Sequence, residues 1–214
     1  MNRRTLGRFL TAALGLALLA SAPLVRAAAD EAPDALIKRV SIEVLDAIKS
    51  DKAIQSGETS RVLTLVDTKV MPNVNFTRMT ASAVGRNWRQ ATPEQKARLQ
   101  DEFKTLLVRT YSGALSQVRD QTLNVKSLRA AASGDNEVVV RTEVIGRGEP
   151  VQLDYRMEKT PSGWKIYDLN VLGVWLVETY RTQFAQEISA SGVDGLIASL
   201  AQRNKSGTAE KKSS

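Results

Sequence analysis

The sequence predicts an α+β fold: a curved antiparallel sheet of about four strands, with helices packed on one side so that sheet and helices enclose an apolar cavity. Three observations carry this. Helical periodicity governs residues 33–118 and stops near Leu123. Alternation of apolar and polar residues then takes over as far as Leu169, broken only by short turns. Helical spacing returns after Gly173.

The first 28 residues read as a targeting leader. Arg3, Arg4 and Arg8 precede an apolar run from Phe9 to Ala22, and small residues around Ala27–Ala29 fit a cleavage site. The run is too short for a stable transmembrane helix. The globular domain is expected over residues 29–203 and a disordered polar tail over 204–214. Arg3, Arg4, Arg8 and Arg26 leave with the leader, taking the net charge from +7 to +3. That is weak support for a nucleic-acid partner, which needs a concentrated basic patch.

Pro33 opens a helix to about Ser50, with Ile37, Val40, Val44 and Ile48 as its stripe. After a break at Ser56-Gly57, a second helix is expected from Glu58 to Val70, ended by Pro72. Asn75–Gly85 reads as a short helix with Phe76, Met79 and Ala83 inward. Thr92, Pro93 and Gln95 form a capping box that starts the longest helix. Its apolar stripe runs from Leu99 through Phe103, Leu107 and Tyr111 to Val118, wider than one neighbouring helix needs.

Strands are expected at 123–129, 137–145, 151–159 and 164–169. The second places Val138, Val140, Thr142 and Val144 on one face; the third sets Val151, Leu153, Tyr155 and Met157 against Gln152, Asp154, Arg156 and Glu158. Short turns between consecutive strands make the sheet an antiparallel meander. In the fourth strand, alternation opposes Trp164, Ile166 and Asp168 to Lys165, Tyr167, Leu169 and Val171. Gly173 turns the chain into a helix carrying Val177, Tyr180, Phe184 and Ile188, which Gly192-Val193-Asp194-Gly195 ends; a last helix spans 196–202.

Composition removes whole classes of chemistry. The chain has no His and no Cys. The commonest metal ligand and general base are therefore missing together, and with them zinc, haem and triad chemistry. No cofactor and no metal are expected. The apolar strand faces and the stripe of the long helix would line the inside of a cone, a shape that holds small apolar ligands. The nearly uninterrupted apolar join from Trp164 to Phe184 is either plain core or one wall of that cavity.

The residues also resemble a known family. Val70-Met71-Pro72-Asn73-Val74-Asn75-Phe76, then Gly85, Trp88-Arg89, Ala91-Thr92 and Gln95, with Phe103 and Tyr111, are similar to the pattern of the MlaC (toluene-tolerance) family of periplasmic phospholipid-binding proteins. Trp164-Lys165-Ile166-Tyr167-Asp168, Gly173-Val174, Leu176-Val177, Tyr180-Arg181, Phe184 and Gly192-x-Asp194-Gly195-Leu196 resemble its C-terminal block. Trp175 stands where that pattern has a small residue, often Ser.

The resemblance implies a periplasmic shuttle without catalysis. It would carry phospholipid between an outer-membrane lipoprotein complex of the MlaA type and an inner-membrane Mla ABC transporter with a substrate-binding ring, serving outer-membrane lipid asymmetry. The acyl chains would be held by Phe103, Leu107, Tyr111, Val138, Val140, Val144, Leu153, Tyr155 and Met157. On the other wall stand Tyr167, Leu169, Val174, Val177, Tyr180 and Phe184. Arg181 and Lys165 are the candidates for head-group contact. Which face of 164–169 lines the cavity stays open. Two other readings remain: a small cone-fold enzyme of the ketosteroid-isomerase or dehydratase kind, using Asp168 with Tyr167 or Asp154 with Tyr155, and a ligand-free periplasmic adaptor.

Overall fold

The computed structural model describes residues 31–130 and 136–210. The leader lies outside the described residues. Helix α1 (Pro33–Ser50) starts at Pro33, has Asp34 in its first turn and Lys49 in its last, and so matches its own dipole at both ends. It buries Leu36, Ile37 and Val40 against the sheet. Asp51 caps the short α2 (Lys52–Gln55), accepting from the amides of Ala53 and Ile54. Helix α3 (Thr59–Leu65) does not run on to Val70 as a regular helix. It widens to a π-helical turn at Val66–Val70 and tightens to a 3-10 turn at Met71–Asn73. Pro72 explains this: it has no amide to give, and its ring crowds the carbonyls of the preceding turn.

Helix α4 (Phe76–Val84) is capped by Asn75, whose side chain accepts from the Arg78 amide at 3.0 Å. Helix α5 (Pro93–Leu115) has the full expected capping box between Thr92 and Gln95. It ends three residues before Val118, which is nonetheless buried.

The sheet is a meander of five antiparallel strands: β1 (Thr122–Ala130), β2 (Glu137–Ile145), β3 (Val151–Thr160), β4 (Gly163–Val171) and β5 (Val174–Trp175). The fifth was not read from the sequence. It is two residues long, and a tight turn at Leu172-Gly173, both with positive φ, folds it back on β4. Helix α6 (Leu176–Glu210) is one element broken at Gly192, where φ 70 and ψ −176 need glycine. It continues past Gln202, so the part of the expected tail from Asn204 to Glu210 is helical. Asn204 is buried and donates to the carbonyl and the carboxylate of Glu102 on α5. Residues 211–214 lie outside the description.

Two bulges curve the sheet, one at Lys126 in β1 and one at Tyr167 in β4. The second changes the expected facing. Arg156 pairs with Asp168 and Met157 with Ile166, so Tyr167 is the extra residue. Trp164 and Ile166 before it, and Leu169 and Val171 after it, consequently lie on the same face. That is the face of Val140, Tyr155 and Met157. Strict alternation had placed these two couples on opposite faces.

The junction from β4 to α6 is fixed by Asp168, only 1% exposed. Its carboxylate accepts from the amides of Leu169 (2.9 Å) and Val177 (3.1 Å) and from Arg156 (2.9 Å). Burial pushes its pKa up, against the pull of the Val177 amide and Arg156. Three partners on one buried carboxylate make it a costly group to delete. Asp168→Ala is expected to lose about 3 kcal/mol of stability in urea unfolding; a loss below about 1 kcal/mol contradicts this account of the junction.

Candidate functional site

The inner face of the sheet is built row by row from the strand register. Val138, Met157 and Ile166 stand side by side; so do Val140, Tyr155 and Leu169; so do Thr142, Leu153 and Val171. Val144 pairs with Val151 at the end. None of these rows holds a charge. Its two polar members are satisfied internally. Thr142 donates to the Leu153 carbonyl at 2.9 Å, and Tyr155 meets the hydroxyls of Ser41 and Thr142. Burial pushes the Tyr155 phenol up.

Around this face the apolar side chains form three clusters rather than one. Leu36, Ile37 and Val40 of α1 close over Val140, Met157, Trp164 and Ile166. Phe76, Phe103, Val177, Tyr180 and Phe184 join α4, α5 and α6. Ile48, Val62 and Val108 join α1, α3 and α5. A domain of this size usually has one contiguous core. Here Leu106, Leu107 and Tyr111 of α5, with Leu153, Leu169 and Val171 of the sheet, stay only half-buried. All but Leu153 pack against the aromatic cluster of α4, α5 and α6, and the six together are the candidate lining of an apolar groove.

The candidate residues divide accordingly. Phe103 and Phe184 are fully buried, with Phe103 edge-on to Tyr180 at 4.9 Å and to Phe184 at 5.2 Å. They and the buried Val177 form the floor behind the groove. Val140 and Met157 are fully covered by the α1 cluster. Leu107, Tyr111, Val138, Val144, Leu153, Tyr155 and Leu169 are the half-buried ones, and Val174 is exposed at the edge. Tyr167 stands on the outer face. Its hydroxyl donates to Glu137 at 2.8 Å and Arg78 lies 3.6 Å over its ring. Desolvation and the Glu137 carboxylate push its pKa up to about 12. Arg78 also donates to Glu137 and Glu158, tying α4 to the outer face.

The two head-group candidates are exposed and already engaged. Arg181 donates to the Ser82 carbonyl at 2.9 Å, and Lys165 to the Pro72 carbonyl at 2.6 Å. Trp175 lies on the outer side under Arg156, 3.8 Å from its ring centre. Val171 and Leu106, which sequence reasoning did not name as lining, pack against the same cluster as Leu169 and Tyr111. A separate surface pocket of about 240 Å³ lies near the start of α5, among Met71, Phe76, Gln100, Asp101 and Lys104. It lies apart from the inner face, and its lining is partly polar.

Comparison with known proteins gives four findings. A family model described as MlaC protein matches residues 38–202. The toluene tolerance protein ttg2D of Pseudomonas putida is 28% identical over 181 residues, covering 84% of this chain and 83% of the relative. The intermembrane phospholipid transport system binding protein MlaC of Haemophilus influenzae is 24% identical over 181 residues, covering 82% and 84%. The solved phospholipid-binding protein from Ralstonia solanacearum, in complex with a phospholipid, is 50% identical, with a TM-score of 0.78 over 82% of this chain and 98% of that one.

A groove and a filled core respond differently to truncation. Met157→Ala, in a closed cluster, is expected to cost about 2–5 kcal/mol. Leu153→Ala, on the half-buried row, is expected to cost about 1 kcal/mol, because less surface returns to water. Urea unfolding of both variants checks the contrast; equal losses mean that the row belongs to filled core.

Proposed function

The chain belongs to the MlaC family, and from that premise we propose that it is a periplasmic phospholipid carrier. The single observation that supports this most is the phospholipid bound by the half-identical Ralstonia protein, to which this chain's inner face adds three central rows that hold no charge. Each acyl CH₂ exposed to water costs about 0.8 kcal/mol. Two chains of ordinary length cost tens of kcal/mol, so a lipid crosses an aqueous gap only inside such a surface. Apolar contacts are non-directional and tolerate chains of different length.

Leu107, Tyr111, Leu153, Leu169 and Val171 would touch the chains first, with the aromatic floor behind them. The head group would stay at solvent. Arg181 and Lys165 would reach it only by leaving their carbonyls. The partners would be an outer-membrane lipoprotein complex of the MlaA type and an inner-membrane Mla ABC transporter with its ring. The name of the Haemophilus relative, a binding protein of an intermembrane phospholipid transport system, supports that assignment. Among the described residues no helix is long and apolar enough to cross a membrane.

The reading is of a binding protein and not of an enzyme. Asp154 pairs in register with Arg141 and Asn170 on the outer face, away from Tyr155. The bulge brings Asp168 and Tyr167 to one face, but Arg156 and two amides hold the acid while Glu137 takes the phenol. In the first couplet acid and phenol lie on opposite faces, and in the second both are already engaged.

Organic extraction and native mass spectrometry of the purified protein are expected to find bound phospholipid. Val144→Glu or Leu153→Glu, placing a charge on the inner face, is expected to remove it while the far-UV spectrum stays native. Full lipid loading in a folded variant moves the chains off this face. A lipid-free wild-type protein with turnover on a ketosteroid overturns the carrier reading.

A further inference from the structure

The chain has four tyrosines, and three of them have a partner for the hydroxyl. Tyr167, on the outer face, donates to Glu137 at 2.8 Å. Tyr155 meets the hydroxyls of Ser41 and Thr142, and Tyr180 meets that of Thr110. The fourth, Tyr111, has no hydrogen-bond partner for its hydroxyl among the described residues. An enclosed tyrosine usually finds one.

Tyr111 stands one turn beyond Leu107 and two beyond Phe103, so the three share one face of α5. It is half-buried, and it packs against the aromatic cluster as Leu106, Leu107, Leu169 and Val171 do. Burial pushes its phenol above the ordinary value, and the Tyr180 phenol adds to that. The group is therefore a neutral O–H donor set among apolar side chains.

We propose that the Tyr111 hydroxyl donates a hydrogen bond to an ester carbonyl of the bound phospholipid, and so selects lipids whose chains are ester-linked. The inference rests on the carrier reading and adds the group that reads the linkage. A phospholipid offers two kinds of strong acceptor. Its phosphate is charged and is matched by a cation. Arg181 and Lys165 already donate to backbone carbonyls, and the central rows of the inner face hold no charge. An ester carbonyl is neutral and stands at the head of each acyl chain, where apolar contact ends. Phe103 and Leu107 would follow the chain, and Tyr111, next on the same face, would meet its head. A diether lipid of the same length has no carbonyl there and leaves the phenol without its acceptor.

The test is a competition. Delipidated protein is reloaded from detergent solution with an equimolar mixture of dioleoyl phosphatidylethanolamine, dioleoyl phosphatidylglycerol and the diether analogues of both, and the bound lipid is read by native mass spectrometry. The wild type is expected to hold diester over diether about tenfold, the factor for one hydrogen bond. Tyr111→Phe keeps the ring, and is expected to bring the ratio to about one at an unchanged melting temperature. Tyr167→Phe, on the outer face, is expected to keep the wild-type ratio. A wild-type ratio near one overturns the proposal. So does a preference that survives in Tyr111→Phe, with or without a general loss of lipid, since the hydroxyl then serves the wall and not the ester. If the wild type binds none of the four lipids, the carrier reading falls and this inference with it. Binding without preference leaves the carrier reading standing and removes this inference alone.

Discussion

The bulge at Tyr167 keeps Trp164, Ile166, Leu169 and Val171 on one face of β4. Without the extra residue, strict alternation would turn one couple outward. Asp168 and Asn170 would then face inward in place of Leu169 and Val171. A carboxylate in an apolar groove costs several kcal/mol unless it is paired or protonated. Instead Asp168 faces Arg156 on the outer side and accepts from the Val177 amide at the start of α6. One inserted residue therefore clears the groove of charge and anchors the helix that forms its far wall.

The two faces of the sheet divide the work. The outer face is held by directional bonds: Arg78 to Glu137 and Glu158, Tyr167 to Glu137, and Arg156 between Asp168, Glu178 and Trp175. Such networks fix the curvature of the sheet and the seats of α4 and α6. The inner face is held mainly by packing, in two clusters, with Tyr155 meeting the hydroxyls of Ser41 and Thr142. A surface that must accept chains of varied length and release them again is better made of non-directional contacts. Rigidity on one face and adaptability on the other follow from which residue types the pleat sends to each side.

Much of this was legible in the sequence. The capping box of α5, the alternation of β2 and β3 and the Pro33 start of α1 are local signals, and each appears where its chemistry puts it. The order of elements and the apolar central rows of the inner face followed from them. The bulge was not legible, because an inserted residue is defined by its partner strand, and single-strand alternation carries no trace of it. The strand β5 is two residues long and exists only through pairing with Asn170 and Val171. The relaxed end of α3 has a visible cause in Pro72, but the choice between stopping and widening a helix depends on what it packs against. For the same reason Phe103 and Phe184 looked like lining: their spacing is that of a wall, while their closure by Phe76 and Tyr180 is tertiary.

Trp175 ties β5 to the outer network. It stands where the family pattern has a small residue, and its ring takes the Arg156 guanidinium that also bonds Asp168 and Glu178. A cation over an indole adds about 0.5–2 kcal/mol, depending on desolvation. β5 is held by two residue pairs to β4 and by this stack. The stack therefore stiffens the turn that carries Leu172 from the side away from the groove. With a small residue at this position the same turn would rest on its backbone pairing and on the Asn170 side chain, which accepts from the Gly173 amide.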